Sequence, residues 1–404
     1  MQMVTTTSRG PQEREQSLRA REGTPGAPPS SRLASLDGLR GVASLVVLVC
    51  HTLLTVPRLA ETGFQFGSAT PGSWEWWLVA TPLHVLWEGT GAVYLFFVLS
   101  GFVLTLPFTK PADRLPSWRS YYPKRLARLY LPVWAAVAFA AALWAVVPRP
   151  KTGSGWIDAM GAGVTPERIL GDATLLFTDG LVVPPLWSLR WEMWFSLLLP
   201  AYVLVAVALH RAARVHWMPW AQWAAAAALI GVGTTTVNGF VRDLPLFLLG
   251  ALLAAHREEL AATVTRLPSW TMPALAALGV VGLWLPWVVG SGSPAAHISL
   301  SAAAVALVVV ALHWRPAVRA LSGRAAAWLG TVSFSLYLTH EPIVVAAYHL
   351  IGPLLPARTP IGPAALWVSM PVGLVLSLAV AAAFHWMVER PSHRVAQWLG
   401  RRFA

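Results

Sequence analysis

The sequence predicts an all-α integral membrane protein with about ten transmembrane helices in one bundle, and three observations carry that expectation. Hydrophobic residues make up 56% of the 404 residues and charged residues only 12%, about half of the roughly 25% found in soluble domains. Apolar runs close to the ~20 residues needed to cross a hydrocarbon core recur along nearly the whole chain. The runs are continuous, unlike the short alternating segments of a barrel, so they are read as helices.

The elements follow in order. Residues 1–32 mix Pro, Gly, Ser, Arg and Glu without apolar periodicity and are expected to form a disordered basic cytoplasmic tail. The first run, Leu39–Val56, is longer than a signal-peptide core and has no convincing small-residue cleavage site, so it is expected as a retained helix. Further spans are expected at His84–Leu106, Leu129–Val147, Leu186–Leu209, Trp220–Val237, Leu244–Ala255, Met272–Gly290, Ile298–Trp314, Trp328–Leu350 and Ala364–Val388. The sixth is short and the ninth contains Pro342; both are tolerated where neighbouring helices satisfy the freed backbone. Residues 33–394 thus form one transmembrane domain, and 395–404 a short cytoplasmic tail. The loop 148–185 is the only sizeable outward segment.

Charge sets the orientation. The net charge of +12 raises the question of nucleic acid, but Lys and Arg sit mostly in short segments between apolar runs, which is a topological pattern. Counted across the ten spans, 23 fall on the side of both termini and 6 on the other, with Arg190 inside the fourth span. Both termini are therefore expected in the cytoplasm. The single cysteine, Cys50, lies within the first span, which excludes an intrachain disulfide framework and a cysteine-based metal site. Scarce Asn and Lys beside abundant Ala, Arg, Pro, Gly and Trp suggest a GC-rich bacterial genome.

The first span opens Ser35-Leu36-Asp37-Gly38-Leu39-Arg40-Gly41 and reaches His51 eleven residues after Arg40. Eleven steps of about 100° return to nearly the same face, roughly 16 Å along the axis. An ionisable group inside a bilayer points to a functional cavity or partner. The structural alternative is that Arg40 snorkels as an anchor and His51 bonds a neighbouring helix.

At these residues the chain resembles the membrane-bound acyltransferase-3 family, whose first helix carries an Arg, ten residues and a His. Five further motifs agree in order: Phe96-Phe97-Val98-Leu99-Ser100-Gly101-Phe102; Arg125-Leu126-Ala127-Arg128; Leu186-Trp187-Ser188-Leu189-Arg190-Trp191-Glu192; Phe334 to Pro342; and Glu389-Arg390-Pro391. The resemblance implies a bacterial inner-membrane O-acyltransferase without a fused hydrolase-like domain. It would use acyl-CoA, acetyl-CoA by expectation, as donor substrate and a carbohydrate or glycosylated molecule as acceptor. No permanently bound cofactor, metal or nucleic acid is expected. The residue after His340 is aromatic in many relatives and is Glu341 here.

The remaining motifs have their own physical readings. Arg125 and Arg128 share a helix face near Lys124; positive-inside topology accounts for them, while the resemblance implies that with Arg40 and Lys124 they bind the phosphates of acyl-CoA. Glu192 lies two residues after Arg190, so the two face apart; a buried carboxylate needs a partner or a proton, and Glu192 would orient His51, hold an acceptor hydroxyl or link two helices. Ser100 is expected to bond its own i−4 carbonyl and Trp187 to pack; with Ser188, His340 and Glu389 they form a possible acceptor or supporting set. His340 and Glu389 are read as lying at or near helix ends. Asp37 would position a nearby basic group. His51 would be a general base on the acceptor hydroxyl or a nucleophile forming an acyl-imidazole. No phosphate loop, H-E-x-x-H helix or G-x-S-x-G elbow occurs, which excludes nucleotide and zinc hydrolysis of those types. The alternative from another class is a secondary transporter or flippase with Arg40, His51 and Glu192 as a proton relay, although the repeated halves common in such folds are not seen.

Overall fold

A computed structural model describes residues 31–64, 67–152, 154–160, 163–178, 180, 182–213, 217–354 and 367–403. Residues 1–30 of the expected tail at 1–32 and the start of the tenth span at Ala364 lie outside the described residues, while Ser31 and Arg32 already belong to the first helix. Those described are all-α, with no strand among them.

Ten long helices occupy the expected positions: α1 Ser31–Leu54, α2 Gly89–Thr105, α3 Trp118–Val146, α4 Leu186–Val203, α5 Met218–Gly233, α6 Leu244–Ala255, α7 Thr271–Trp284, α8 Pro294–His313, α9 Arg324–Ile351 and α10 Ser369–Phe384. An amphipathic α11, Arg390–Arg402, follows α10 through a π-helical turn, so the expected C-terminal tail is largely helical. Among the described residues seven helical stretches are long and apolar enough to cross a membrane, or eight if α6 with the segment before it and the helix Arg257–Val264, bent by 69°, count as one span. The 16-residue α5 and the polar-centred α9 complete the set of ten. The chain is a multi-pass membrane protein.

One apolar core sits among α1, α2, α4, α6 and α8, and a second joins α3, α4 and α9. The 12-residue α6 is buried almost throughout, which explains how so short a helix is stable: lipid touches little of its backbone. Its Gly250 meets Gly101 of α2 so closely that a Cβ on Gly250 would stand 2.0 Å from the Val98 carbonyl oxygen. By contrast α7 buries only Gly279 and lies at the periphery.

Two boundaries depart from expectation for identifiable reasons. The second helix begins at Gly89 and not at His84, because the Glu88 carboxylate accepts from the Gly91 backbone N–H at 3.0 Å and caps α2. His84 stays outside the helix in a 3₁₀ turn, with its ring 4.1 Å from Trp87 and 3.7 Å from Trp287. The third helix begins eleven residues early, at Trp118, because the basic stretch that reads as a loop continues the helix past the apolar core. Tyr121 and Tyr122 donate to the backbone carbonyls of Ser196 and Leu197 at 3.3 and 3.0 Å and hold that end against α4.

The loop 148–185 contains two short helices, Gly155–Met160 and Pro166–Thr174. Buried Asp172 organises its end, accepting from the backbone N–H groups of Val182 and Val183 at 2.8 and 2.9 Å and from the Thr178 hydroxyl. This delivers the chain into α4.

Candidate active site

Two helices with glycines at their contact bring the central pair together. A Cβ on Gly41 of α1 would stand 2.4 Å from the Gly330 nitrogen of α9, and one on Gly330 would stand 2.4 Å from the Asp37 carbonyl oxygen. Only glycine permits that approach. Ten residues further along each helix stand His51 and His340, so parallel helices in register carry the contact from the glycines to the histidines, about 15 Å away. His51 Nδ1 lies 2.8 Å from His340 Nε2, and the rings are stacked with centroids 5.0 Å apart.

Backbone chemistry assigns the tautomers. His340 Nδ1 lies 2.8 Å from the Leu336 carbonyl oxygen, which only accepts, so Nδ1 carries the proton. A neutral His340 then presents a lone pair at Nε2, which accepts from the Nδ1–H of His51. His51 is left with a lone pair on Nε2, the form a general base or nucleophile requires. Trp156, from the loop 148–185, lies 5.7 Å from the His51 ring. His340 is not near a helix end as expected: it sits mid-way along α9 and is buried.

A cavity of about 350 Å³ lies between α1, α2, α3, α4 and α9, in the half of the bundle that carries the basic residues. Asp37, Arg40, Ser100, Arg125, Arg128, Ser188, Glu192 and Glu389 all line it. The structure thus gathers eight of the sequence-derived residues around one space. His51 and His340 do not line it. Tyr337 does, and its ring lies 6.1 Å from that of His340. Along α9, Ser333, Tyr337 and then His340 and Glu341 follow at helical spacing, so one stripe runs from the cavity to the histidines.

The three arginines differ in their commitments. Arg40 binds Ser333 Oγ at 3.0 Å, the Gly330 carbonyl at 3.2 Å and Asp37 at 3.2 Å, which ties α1 to α9. Arg125 is 8% exposed and pairs with Glu192, while its Nε donates to Ser196 Oγ at 3.0 Å. Arg128 lines the cavity with neither a hydrogen bond nor an ion pair among the described residues. Lys124 lies outside the cavity lining, against Gly400 of α11.

Ser100 donates to Glu192 Oε1 at 3.1 Å rather than to its own helix. Glu192 is therefore held by Arg125 and Ser100, and not by His51. Ser188 bonds the Tyr337 hydroxyl, and both reach the Pro185 carbonyl oxygen, at 3.1 and 3.2 Å. Glu389 accepts from Ser335 Oγ at 2.6 Å and lies 3.0 Å from His385 Nδ1. Trp187 and Arg190 line a different space of about 430 Å³, which opens on the opposite face of α4 beside Trp191, Trp194 and Phe240. Sequence reasoning did not single out Tyr337 or assign a role to Glu341. Their signal was present: with His340 they put three polar side chains at i, i+3 and i+4 in an apolar helix.

Two groups of described residues bring three metal-type ligands within 4.8 Å: His51, His340 and Glu341, and His210, His256 and Glu259. In the first, 2.8 Å between the nitrogens is shorter than the ~3.3 Å separating two ligands of a tetrahedral zinc with bonds of about 2.0–2.1 Å. The spacing favours a hydrogen-bonded pair over a metal centre. In the second, His256 accepts from Trp223 Nε1 at 3.1 Å and faces Gln222 Oε1 at 2.9 Å, which occupies both ring nitrogens.

Comparison with known proteins gives two matches. A family model described as an acyltransferase domain matches residues 33–386. Acyltransferase MdmB of Streptomyces mycarofaciens is 26% identical over 406 residues, covering 92% of this chain and 93% of the relative. No solved structure matches the chain.

Proposed function

The chain belongs to the acyltransferase-3 family, and from that premise we propose that this membrane acyltransferase moves an acyl group, acetyl by expectation, from acyl-CoA to a hydroxyl of a sugar-containing acceptor. The proposal places it in a bacterial inner membrane, with both termini and the donor at the cytoplasmic face. One domain, residues 33–394, carries the reaction between the terminal segments 1–32 and 395–404.

The observation that carries the reading is the stripe on α9 linking the arginine-lined cavity to the His340–His51 pair. Arg128, unpaired among the described residues, supplies the cation for a donor phosphate, with Arg40 and Arg125 beside it. The pantetheine arm follows the cavity and passes Tyr337 to bring the thioester to His51. Nε2 of His51 takes the proton of the acceptor hydroxyl as its oxygen bonds to the thioester carbon. The carbon–sulfur bond breaks, and Nε2 returns the proton to the leaving thiolate. The same lone pair would form an acyl-imidazole in a two-step route. Separate partners for Arg40, Glu192 and His51 favour this reading over a proton relay.

The test is release of free thiol from acetyl-CoA by protein in detergent, with a panel of alkyl glycosides as acceptors and no ion gradient. Acceptor-dependent release supports the proposal. Absence of both donor binding and thiol release, with acetyl-, propionyl- and longer acyl-CoA, contradicts it.

A further inference from the structure

We infer that Glu341 is a positioning and charge-balancing residue for His51, receiving the Nδ1–H of His51 when that imidazole becomes cationic during transfer. The inference rests on the proposed acyl-transfer reading.

Glu341 is 2% exposed, and its Oε2 has no hydrogen-bond partner among the described residues. It lies 3.6 Å from His51 Nδ1, and among the described residues His51 is the only basic group within 4 Å of its carboxylate. A carboxylate buried without a hydrogen bond or counter-charge is costly. The group beside it gains a positive charge only when Nε2 accepts the acceptor proton.

His51 Nδ1 thus faces two acceptors, His340 Nε2 at 2.8 Å and Glu341 Oε2 at 3.6 Å. In the resting state the neutral imidazole donates to neutral His340, which fixes the tautomer. Once His51 is an imidazolium, an anionic acceptor holds the N–H more strongly than a neutral one, and a small ring rotation transfers it to Glu341. With Glu341 ionised, no proton moves between the residues: Nδ1 keeps its hydrogen, and the proton on Nε2 passes to the thiolate. The contact strengthens only as charge develops, so it acts on turnover and not on donor binding.

The experiment compares E341Q, E341L, E341D, H51A and the double variant H51A/E341Q. Free-thiol release from acetyl-CoA is measured with the same alkyl glycoside panel on the monodisperse fraction of each. E341Q keeps size and hydrogen bonding but loses charge. It is expected to lower kcat by about 100-fold or more, as does loss of the carboxylate behind a catalytic imidazole elsewhere, with KM for acetyl-CoA within about twofold of the parent. E341D retains the charge and is expected to keep at least about tenfold more turnover than E341Q. E341L, which has no polar atom to bury, provides the charge-free measurement if E341Q aggregates. In the H51A background E341Q is expected to cause no further loss. Parent-like kcat for either charge-free variant, with H51A inactive, overturns this inference alone. Parent-like kcat for H51A overturns the acyl-transfer reading of the site.

Discussion

Nδ1 of His51 lies 2.8 Å from Nε2 of His340, between the parallel helices α1 and α9, whose glycines Gly41 and Gly330 meet ten residues earlier along each. The Leu336 carbonyl fixes the proton on His340, and His340 in turn fixes the proton on His51. One backbone oxygen thereby determines which nitrogen of His51 is free to react.

His340→Ala should therefore lower kcat by about 100-fold or more while leaving acetyl-CoA KM within about twofold, because it frees the tautomer and ring orientation without touching the cavity. Steady-state kinetics on the monodisperse fraction check this. A large rise in KM with unchanged kcat would instead place His340 in donor binding.

Gly330→Ala should cost both yield and activity. Its Cβ would meet the Asp37 carbonyl oxygen at 2.4 Å, so α1 must move away from α9 and take His51 with it. Gly155→Ala, with nothing within 4 Å of the added carbon, is the control and should behave as the parent. Detergent gel filtration and thiol release measure the two consequences together.

The sequence suggests that Arg125 and Arg128 act alike, and the structure separates them. Glu192→Ala leaves the buried Arg125 charge without its partner and should destabilise the protein by about 3–5 kcal/mol, and Arg125→Ala, which leaves the half-buried Glu192 at the cavity with Ser100, by less. Arg125→Met with Glu192→Leu should regain most of that stability. Arg128→Ala should leave stability near the parent and raise acetyl-CoA KM by about tenfold, with Arg128→Lys restoring only part. Thermal unfolding in detergent and donor titration distinguish these outcomes.

Much of the scaffold was legible because apolar runs near 20 residues admit few readings, and the separation of Arg190 from Glu192 followed from their spacing: they line different spaces on either side of α4. The start of α3 at Trp118 was not, because basic and aromatic residues at a membrane rim look the same in a helix or a loop. Ser100 and Glu192 were both noted as candidates, yet their bond joins residues 92 apart, and no local period reveals it. Glu341 stood out as a departure from relatives. Its proximity to His51 depends on the register of α1 against α9, which the glycines determine only once the helices are packed.

Topology supplies a further prediction. A reporter after Ala404 should be cytoplasmic, and one inserted near Gly155 should be exposed outside. Accessibility of both from the same side would reverse the donor path and leave Arg128 facing the wrong compartment.

The central claim is that His51 Nε2 handles the proton or acyl group in transfer, and turnover per folded molecule of His51→Ala tests it most directly. Folding is judged by detergent gel filtration, acetyl-CoA binding is measured separately, and thiol release is followed with the glycoside panel. The expected result is a monodisperse protein that binds acetyl-CoA within about twofold of the parent and shows no acceptor-dependent transfer. A monodisperse variant that transfers at near-parental rate would remove His51 from the chemistry.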